Sequence, residues 1–449
     1  MKHLLIVWWV SMAIFGATQP GYCQKKKKKK KKKSLTAKVI VLKGNGTFKL
    51  GKPLKFSCQI KNNTYAPVRA VVYCNIAVLQ PRHHLKTKTR HVLVPARKTI
   101  EVNFQYFASS PNFYLASCSL KNYTGWLSHA YMVLGYAINK QRSPLNKQVD
   151  FKKFWKTSLW RLRQVHPHFK VTKRKQLCTP QYNVYLVEMK SMGHVTVRGW
   201  YRVPTKGTKH PVILQLPSLG GSFFNVQSLK KRPLHGIPLD FAVLSLNIRG
   251  HGNSKDEINP QGNYFKFFTH LLKDPYKYVY RGAVMDCIRA LDFLATRPEL
   301  DHSRVAVEGA SQGGALSLMT AALDKRVKLC APDVPFLSDI PRLLKIVSNF
   351  RDEVKRYIKA TPGMTWKKSR KNFSYFDTKN FAPYIKVPVL MSVGLQDLTC
   401  PPITCFATYN HIKAPKSYYV YPYGRHGGGG EVHRRRKFYW IRRQFGMLR

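Results

Sequence analysis

The residues with the clearest capacity for chemistry are centred on Ser311, which stands between glycines in the segment Gly309-Ala310-Ser311-Gln312-Gly313. Valines alternate with other residues just before this segment, from 305 to 308, which predicts a short strand. An apolar pattern of helical spacing begins directly after it, from 315 to 323. A serine at the apex of a tight strand–turn–helix, with glycines that permit the sharp turn, has the context of a nucleophile elbow. We therefore predict that Ser311 is a nucleophile and not simply a serine at the start of a helix.

An aspartate and a histidine follow Ser311 in the chain order of an α/β-hydrolase. Asp397 comes after a predicted strand over 389–393, and His426 comes after a predicted strand over 418–421. Serine is too weak an acid to attack an ester unaided, so a neutral imidazole must take its proton. A buried carboxylate fixes the tautomer of that imidazole and stabilises the imidazolium that forms. Alone, Asp397 fits a turn aspartate and His426 a loop histidine, but their order and their places after strands favour a catalytic triad with Ser311.

The oxyanion that develops during acyl transfer needs two N–H donors. One is expected to be the backbone N–H of Gln312, the residue after the nucleophile. The second should come from the loop Pro217-Ser218-Leu219-Gly220-Gly221, which follows a predicted buried strand over 212–216. We predict that Leu219 supplies it, with Ser218 as the next candidate.

These residues are expected within one catalytic domain, residues 150–449, in which predicted strands and helices alternate. Such alternation predicts a doubly wound, mostly parallel sheet with helices on both faces and functional residues at the carboxyl ends of its strands. The expected fold class is therefore α/β, with an α/β-hydrolase sheet. Asp150 is predicted to cap the first helix of this domain.

A small all-β domain is expected upstream. Short segments of strand-like pattern, divided by Asn, Pro and Gly turns, predict an Ig-like β-sandwich over residues 35–138, with residues 139–149 as a linker. Glu101 is the only acidic residue between Lys25 and Val149, so the sandwich carries much of the excess positive charge. Since the sequence reveals no aromatic platform for sugars, we favour a bracing role with added attraction for anions over polysaccharide binding.

The charge of the chain is strongly positive, because 78 Lys+Arg face 20 Asp+Glu and the formal net charge is +58. Such a charge attracts anionic polysaccharide or cell-surface polymer, although a general basic bias of composition or an acidic habitat would also explain it. Nucleic acid is not expected as a partner, since no helix-turn-helix, RNA-recognition or zinc-finger pattern is found.

The N-terminus has the pattern of a secretory signal peptide, residues 1–23, because Lys2 and His3 precede an apolar run from 4 to 17. Cys23 follows a poor lipobox, which argues against lipidation. Residues 24–34 contain the unbroken run Lys25–Lys33, which repels itself and predicts a disordered segment. No later segment is long and apolar enough for a membrane span, so we expect an exported protein.

Eight cysteines follow the signal peptide, and their spacing fits neither a zinc site nor a redox pair. Several fall in predicted strand or helix cores, where a free thiol behaves as a small hydrophobe. Cys58 and Cys74 could instead form a disulfide between neighbouring strands in an oxidising compartment.

From about Asp150 to the C-terminus, the sequence resembles the acetyl xylan esterase/cephalosporin C deacetylase family of carbohydrate esterases. The upstream sandwich also resembles an N-terminal module that some exported members carry. The resemblance rests on a series of short motifs: Asp150-Phe151…Phe154-Trp155, Arg249-Gly-His-Gly, Tyr280-Arg281-Gly282…Asp286…Arg289-Ala-Leu-Asp292, Gly309-Ala-Ser-Gln-Gly313, Asp333-Val-Pro-Phe336, Tyr375-Phe376-Asp377, Cys400-Pro-Pro…Tyr409-Asn-His-Ile and Tyr421-Pro-Tyr.

The family resemblance implies serine-dependent deacetylation of O-acetylated sugars, a pocket sized for acetyl and assembly into oligomers. The chain departs from the family pattern at three places. His251 stands where the family usually has glutamine, Gly427 stands where it has glutamate after the histidine, and Pro217-Ser218-Leu219 replaces the frequent His-Gly-Tyr. These departures spare the triad and bear on substrate preference, and the basic composition points to an acidic acetylated glycan instead of neutral xylan.

Together these observations predict an exported serine carbohydrate esterase that needs neither metal nor organic cofactor. Two alternatives remain open at this stage. One is a serine esterase or peptidase with a larger acyl pocket. The other is a polycation that binds anionic glycan or cell envelope and whose hydrolase fold is catalytically idle.

Overall fold

The structure is a computed structural model that describes residues 34–79, 83–221 and 237–448. The expected signal peptide, Cys23 and the lysine run lie outside the described residues, so those expectations stay predictions. Within the described ranges, no helix combines the length and apolar character that a membrane span requires.

The N-terminal part is built from two β-sheets. Its strands are β1 (Leu35–Val41), β2 (Thr47–Phe48), β3 (Leu54–Asn62), β4 (Val68–Val78), β5 (His83–Val94), β6 (Thr99–Tyr106), β7 (Asn112–Asn122) and β8 (Gly125–Tyr136). One sheet has the order β1-β3-β6, and the other has the order β2-β8-β7-β4-β5. Residues that alternate along these strands, such as Phe56, Val72 and Leu120, point inward and form one shared core between the sheets.

The remainder of the chain surrounds a nine-stranded sheet. Its strands are β9 (Lys170–Lys173), β10 (Tyr182–Lys190), β11 (Thr196–Pro204), β12 (His210–Leu216), β13 (Ala242–Asn247), β14 (Leu300–Ala310), β15 (Leu329–Asp333), β16 (Val389–Gly394) and β17 (Lys416–Tyr421). The sheet order is β17-β16-β15-β14-β12-β13-β11-β10-β9. Strands β12 to β17 run parallel to one another, whereas β9, β10 and β11 pair antiparallel at the other end.

Helices cover this sheet. The described α-helices are α1 (Phe151–Arg163), α2 (Tyr264–Thr269), α3 (Val279–Ala295), α4 (Gln312–Leu323), α5 (Ile340–Ile346), α6 (Ser348–Ala360), α7 (Trp366–Ser374), α8 (Thr378–Phe381), α9 (Pro402–Tyr409) and α10 (Gly430–Gln444). Short 3₁₀ helices lie at Ile138–Lys140, Lys175–Leu177 and Ala382–Tyr384. Every residue of β12 and β13 is buried, as expected for parallel strands with both faces covered. The predicted α/β-hydrolase fold class with an all-β N-terminal part is confirmed.

The first helix begins where the sequence predicts, but its capping residue acts differently from the expectation. Asp150 occupies the N-cap position of α1 without a side-chain cap hydrogen bond. Its Oδ1 instead accepts a hydrogen bond of 2.7 Å from the hydroxyl of Tyr375. The carboxylate therefore ties α1 to the segment after α7, where Phe154 also packs against Tyr375 with ring centroids 4.5 Å apart.

The disulfide between Cys58 and Cys74 that the sequence left open is not formed in the structure. The two residues lie on β3 and β4, which belong to different sheets, and both are free thiols in the sandwich core. Cys118 sits opposite Cys74 in the register of β4 and β7. The eight described cysteines are all free, and all except Cys178 are buried, which fits their use as small hydrophobic residues.

The sandwich packs directly on the α/β part. Phe113 of β7 contacts Phe406 of α9 with ring centroids 5.9 Å apart. The side-chain amide of Asn410, at the end of α9, donates hydrogen bonds to the carbonyls of Ile138 (2.8 Å) and Gln141 (2.6 Å). Contacts of this kind are what a bracing role requires.

Candidate active site

Ser311 lies at the sharp turn between β14 and α4, at the carboxyl end of β14. Its backbone has φ 57° and ψ −116°, a conformation that L-residues rarely adopt and that stores strain at functional sites. The flanking glycines are required, because a Cβ on Gly309 would lie 2.7 Å from the carbonyl carbon of Gly313. A Cβ on Gly313 would lie 2.2 Å from the carbonyl oxygen of Leu216. The close approach of these backbones produces the elbow that the sequence predicts.

Asp397 and His426 meet at the same edge of the sheet. They follow the parallel neighbours β16 and β17, so their loops leave the sheet side by side. Asp397 Oδ2 and His426 Nδ1 are 2.9 Å apart, and Asp397 is buried while the His426 side chain is 39% exposed. The other oxygen, Oδ1, accepts hydrogen bonds from the backbone N–H groups of Thr399 (2.8 Å) and Cys400 (2.9 Å). The carboxylate is thereby held in one orientation, with one oxygen reserved for the imidazole.

Cys400 connects this pair to Ser311 and was not assigned a role from the sequence. Its Sγ lies 3.9 Å from Ser311 Oγ, and the side-chain ligand atoms of Asp397, Cys400 and His426 all lie within 4.8 Å of one another. Among the hydrogen bonds of the described residues, none joins Ser311 directly to His426. Catalytic hydrogen bonds commonly tighten only when substrate is bound. The sole sequence signal for Cys400 was its place in a Cys-Pro-Pro motif.

The cluster has the chemistry of metal ligands, but its bonding favours an acid–histidine pair. Both oxygens of Asp397 already accept hydrogen bonds. Burial, followed by the nearby Asp397 charge, raises the pKa of the Cys400 thiol well above its ordinary value. Without a bound cation, Cys400 is therefore a neutral thiol beside the acid–histidine pair.

The two predicted oxyanion residues lie on facing segments. Gln312 is the first residue of α4, and Leu219 lies in the turn after β12. The next candidate, Ser218, donates a side-chain hydrogen bond of 2.9 Å to the carbonyl of Ala310, which fixes this loop beside the nucleophile turn. The structure therefore brings the two segments together at the elbow.

His251 links these two segments, although the sequence marked it only as a departure from the family pattern. Its Nε2 accepts hydrogen bonds from the side-chain amide of Gln312 (3.1 Å) and from the backbone N–H of Gly220 (3.3 Å). Its Nδ1 lies 3.3 Å from the carbonyl of Arg249, so Nδ1 carries the proton and Nε2 is the acceptor. Gln312 is held further by the hydroxyl of Tyr280, which donates to its Oε1 at 2.7 Å.

Burial keeps His251 neutral. The side chain is fully buried, and desolvation lowers its pKa to about 4. A neutral imidazole can accept both hydrogen bonds at Nε2, whereas an imidazolium can accept neither. The contact that His251 makes between Gln312 and Gly220 therefore depends on the neutral form, whereas the direct hydrogen bond from the Gln312 amide to the Pro217 carbonyl (3.3 Å) does not.

A third residue that sequence reasoning missed is Gln396, which joins the loop of Asp397 to the sandwich. Its Oε1 accepts a hydrogen bond from the backbone N–H of Val133 on β8 (2.9 Å). Its Nε2 donates to the carbonyls of Val133 (3.1 Å) and Pro422 (2.7 Å), and Pro422 lies in the segment that leads to His426. One amide thus bonds to the sandwich and to both loops that carry the acid and the histidine.

Comparison with known proteins identifies relatives across the α/β part. Residues 133–444, more than half of the chain, match the family model described as acetyl xylan esterase. The acetyl esterase Axe7A of Xylanibacter ruminicola is 30% identical over 304 residues, covering 66% of this chain and 67% of that protein. The solved acetyl xylan esterase of Paenibacillus sp. R4 is 32% identical with a TM-score of 0.61, covering 68% of this chain and 98% of that one.

A second solved structure agrees with the first. Acetyl xylan esterase 1 of Thermoanaerobacterium sp. JW/SL YS485 is 25% identical with a TM-score of 0.59, covering 68% of this chain and 97% of that one. Ser311, Asp397 and His426 all fall inside the region that the family model matches, whereas most of the sandwich lies outside it. The chain therefore belongs to the acetyl xylan esterase family and is a carboxylic-ester hydrolase of the α/β-hydrolase serine type.

Proposed function

We propose that this chain is an exported esterase that removes O-acetyl groups from acetylated poly- or oligosaccharides through an acetyl-enzyme intermediate. The observation that carries the proposal is the 2.9 Å contact between His426 and Asp397, at the sheet edge where Ser311 occupies a strained apex. Acetyl esterase activity is also what the names of the relatives describe.

In the first half of the proposed reaction, Ser311 Oγ attacks the carbonyl carbon of the acetyl ester and its proton passes to His426 Nε2. Asp397 stabilises the resulting imidazolium through Nδ1. The backbone N–H groups of Gln312 and Leu219 bind the oxyanion of the tetrahedral intermediate. The intermediate then collapses, the sugar hydroxyl leaves with the proton from His426, and the acetyl group remains on Ser311.

In the second half, His426 takes a proton from a water molecule whose oxygen attacks the acetyl carbonyl. Collapse of this second tetrahedral intermediate releases acetic acid and returns the proton to Ser311 Oγ. In each half of the reaction, His426 accepts one proton and then gives it back. No electrons are transferred, so the cycle needs no redox partner.

Cys400 is the other nucleophilic side chain at this position, and its protonation state argues against a thiol mechanism. The thiolate is the reactive form of cysteine, and the raised pKa of Cys400 holds it as a thiol. Ser311, at the apex and 3.9 Å away, is therefore the nucleophile of the proposed cycle.

Export and substrate class are supported by the sequence. The apolar run of residues 4–17 after Lys2 and His3 has the pattern of a secretory signal. The net charge of +58 favours acidic acetylated glycans over neutral xylan, because a polycation concentrates polyanions at its surface.

The test compares the mature chain with Ser311→Ala on p-nitrophenyl acetate, p-nitrophenyl butyrate, acetylated xylan and acetylated pectin. Ser317→Ala is the matched control, since Ser317 is a buried serine of α4, the helix that Ser311 precedes. We expect Ser311→Ala to lose activity by at least about 10⁴-fold, and Ser317→Ala to keep it. Faster hydrolysis of butyryl than acetyl esters would favour a broader esterase, and a folded but inactive wild type would favour a glycan-binding protein.

A further inference from the structure

The outer face of the five-stranded sheet carries two aromatic rings that are far apart in sequence. Tyr73 on β4 and Trp126 on β8 have ring centroids 5.4 Å apart, with an angle of 56° between the ring planes. Side chains alternate along a strand, and the neighbours of Tyr73, Val72 and Cys74, point into the core, so Tyr73 faces outward. Trp126 lies on the same face, because its ring contacts that of Tyr73. Trp126 is 57% exposed, so much of its ring is open to solvent.

Cationic side chains surround these rings. Lys121 on β7 places its Nζ 5.8 Å from the centre of the Trp126 ring. Arg69, Tyr73, His91 and Lys121 line one shallow depression of about 790 Å³ on the same face. We call this surface the aromatic face and define it by Arg69, Tyr73, His91, Lys121 and Trp126.

The aromatic face has no carboxylate to offset these cations. Glu101 is the only acidic residue between Lys25 and Val149, and it lies on β6 in the other sheet. There its Oε1 accepts a hydrogen bond of 3.2 Å from the side-chain amide of Gln59. A negatively charged group on the aromatic face would therefore meet attraction without a competing protein anion.

We propose that the aromatic face binds an acidic polysaccharide, one whose sugar rings carry uronic carboxylates. The apolar C–H faces of pyranose rings pack on exposed indole and phenol rings, which offer large apolar area with little loss of side-chain freedom. Lys121 and Arg69 supply the charges that the carboxylates need, and Arg can pair with a carboxylate through two hydrogen bonds. Binding here is separate from the chemistry of Ser311 and holds whether or not the proposed catalytic roles are correct.

The proposal predicts binding that depends on ring shape as well as on charge. A basic protein binds many polyanions through charge alone. Removal of the uncharged Trp126 side chain is therefore the informative change, because it tests the contribution of the aromatic ring. We would measure Kd by isothermal titration with the full mature chain carrying Ser311→Ala, using polygalacturonate, neutral unsubstituted xylan and poly-L-glutamate as probes. Trp126→Ala is the test variant, and Trp160→Ala on α1 is the matched control because Trp160 is also 57% exposed.

We expect Trp126→Ala to raise the Kd for polygalacturonate about tenfold or more and Trp160→Ala to leave it unchanged. Lys121→Gln should also weaken polygalacturonate and reduce the salt dependence of its binding. Poly-L-glutamate, which has charge but no sugar rings, should respond to Lys121→Gln and not to Trp126→Ala.

Three results would overturn the proposal. The first is a Kd for polygalacturonate that Trp126→Ala leaves unchanged, and the second is an equal effect of Trp126→Ala on poly-L-glutamate. The third is binding of neutral xylan as tight as that of polygalacturonate with the same dependence on Trp126. With Ser311 intact, hydrolysis of p-nitrophenyl acetate by Trp126→Ala should match the wild type, which separates loss of this site from loss of the esterase.

Discussion

Replacement of His251 by glutamine tests whether a buried neutral imidazole holds the oxyanion loop. The glutamine side chain retains an acceptor oxygen for Gly220 and for the amide of Gln312, and it does not titrate. It is also the residue that the family resemblance places at this position. His251→Gln therefore keeps the contact and removes only the proton equilibrium.

The expected magnitude follows from the pKa of His251. An unfolded histidine titrates near 6.5, and burial lowers the pKa of His251 to about 4 in the folded protein. Between these values the unfolded chain binds a proton that the folded protein does not, so the free energy of unfolding decreases as the pH falls. Each pKa unit corresponds to about 1.4 kcal/mol, which makes the full loss roughly 3 kcal/mol by pH 4.

The assay is urea-induced unfolding of wild type and His251→Gln at pH 7 and pH 4. All other titrating groups are common to both proteins, so their contributions cancel in the difference between variants. We expect the variant to gain about 3 kcal/mol relative to wild type when the pH is lowered from 7 to 4. An unchanged difference between the two proteins at the two pH values would refute the reasoning.

Activity provides a second readout of the same contact. His251→Ala removes the acceptor of the partly buried N–H of Gly220 and one acceptor of the buried Gln312 amide, which keeps its bond to the Pro217 carbonyl, so the expected cost is about 1–3 kcal/mol of stability in total. With a displaced oxyanion loop, kcat on p-nitrophenyl acetate should fall at least about tenfold. His251→Gln should stay near wild type at pH 7, and a loss equal to that of alanine would contradict a role as acceptor.

Two further substitutions probe the supports of the site. Gln396→Ala removes the hydrogen bonds to Val133, so kcat on p-nitrophenyl acetate should fall several-fold with little change in KM. The thermal midpoint of unfolding should also fall. An unchanged kcat would mean that the contact with the sandwich does not position the acid loop. Lys437→Met removes the ammonium that lies 2.6 Å from the buried Glu308 carboxylate and 2.7 Å from the partly buried Asp333, which keeps His433 at 2.8 Å. Because Glu308 loses its cation, urea unfolding should show a loss of about 3–5 kcal/mol. A stable Lys437→Met would mean that these carboxylates are already neutralised.

The core of the fold could be predicted because its strands and helices are buried in regular patterns. Strands β12 and β13 contain apolar runs because both faces of the sheet are buried there. Helix α3 shows helical spacing of its apolar residues because it packs one side against the sheet. Strands β5 (His83–Val94) and β9 (Lys170–Lys173) were missed, and each lies at the edge of its sheet. Both are rich in charged and polar residues, which protect sheet edges from unwanted pairing and hide the alternation that marks a strand.

In the site too, residues that belong to local motifs could be predicted, and residues defined by contacts between distant segments could not. Ser311 could be predicted because the elbow is a local motif, and Asp397 and His426 because chain order and strand ends constrain them. Cys400, His251 and Gln396 could not, because their contacts depend on which loops meet after folding. The Tyr73–Trp126 pair was missed for the same reason, since β7 lies between their strands.

Strand β8 contributes one residue to the aromatic face and another to the hydrogen bonds that support the acid loop. Trp126 stands near its start and Val133, which bonds to Gln396, stands near its end. At about 3.3 Å per residue, these two positions are separated by roughly 23 Å of nearly inextensible backbone. A polysaccharide bound at Trp126 would need to extend over roughly this length to reach the end of the strand that supports the acid loop.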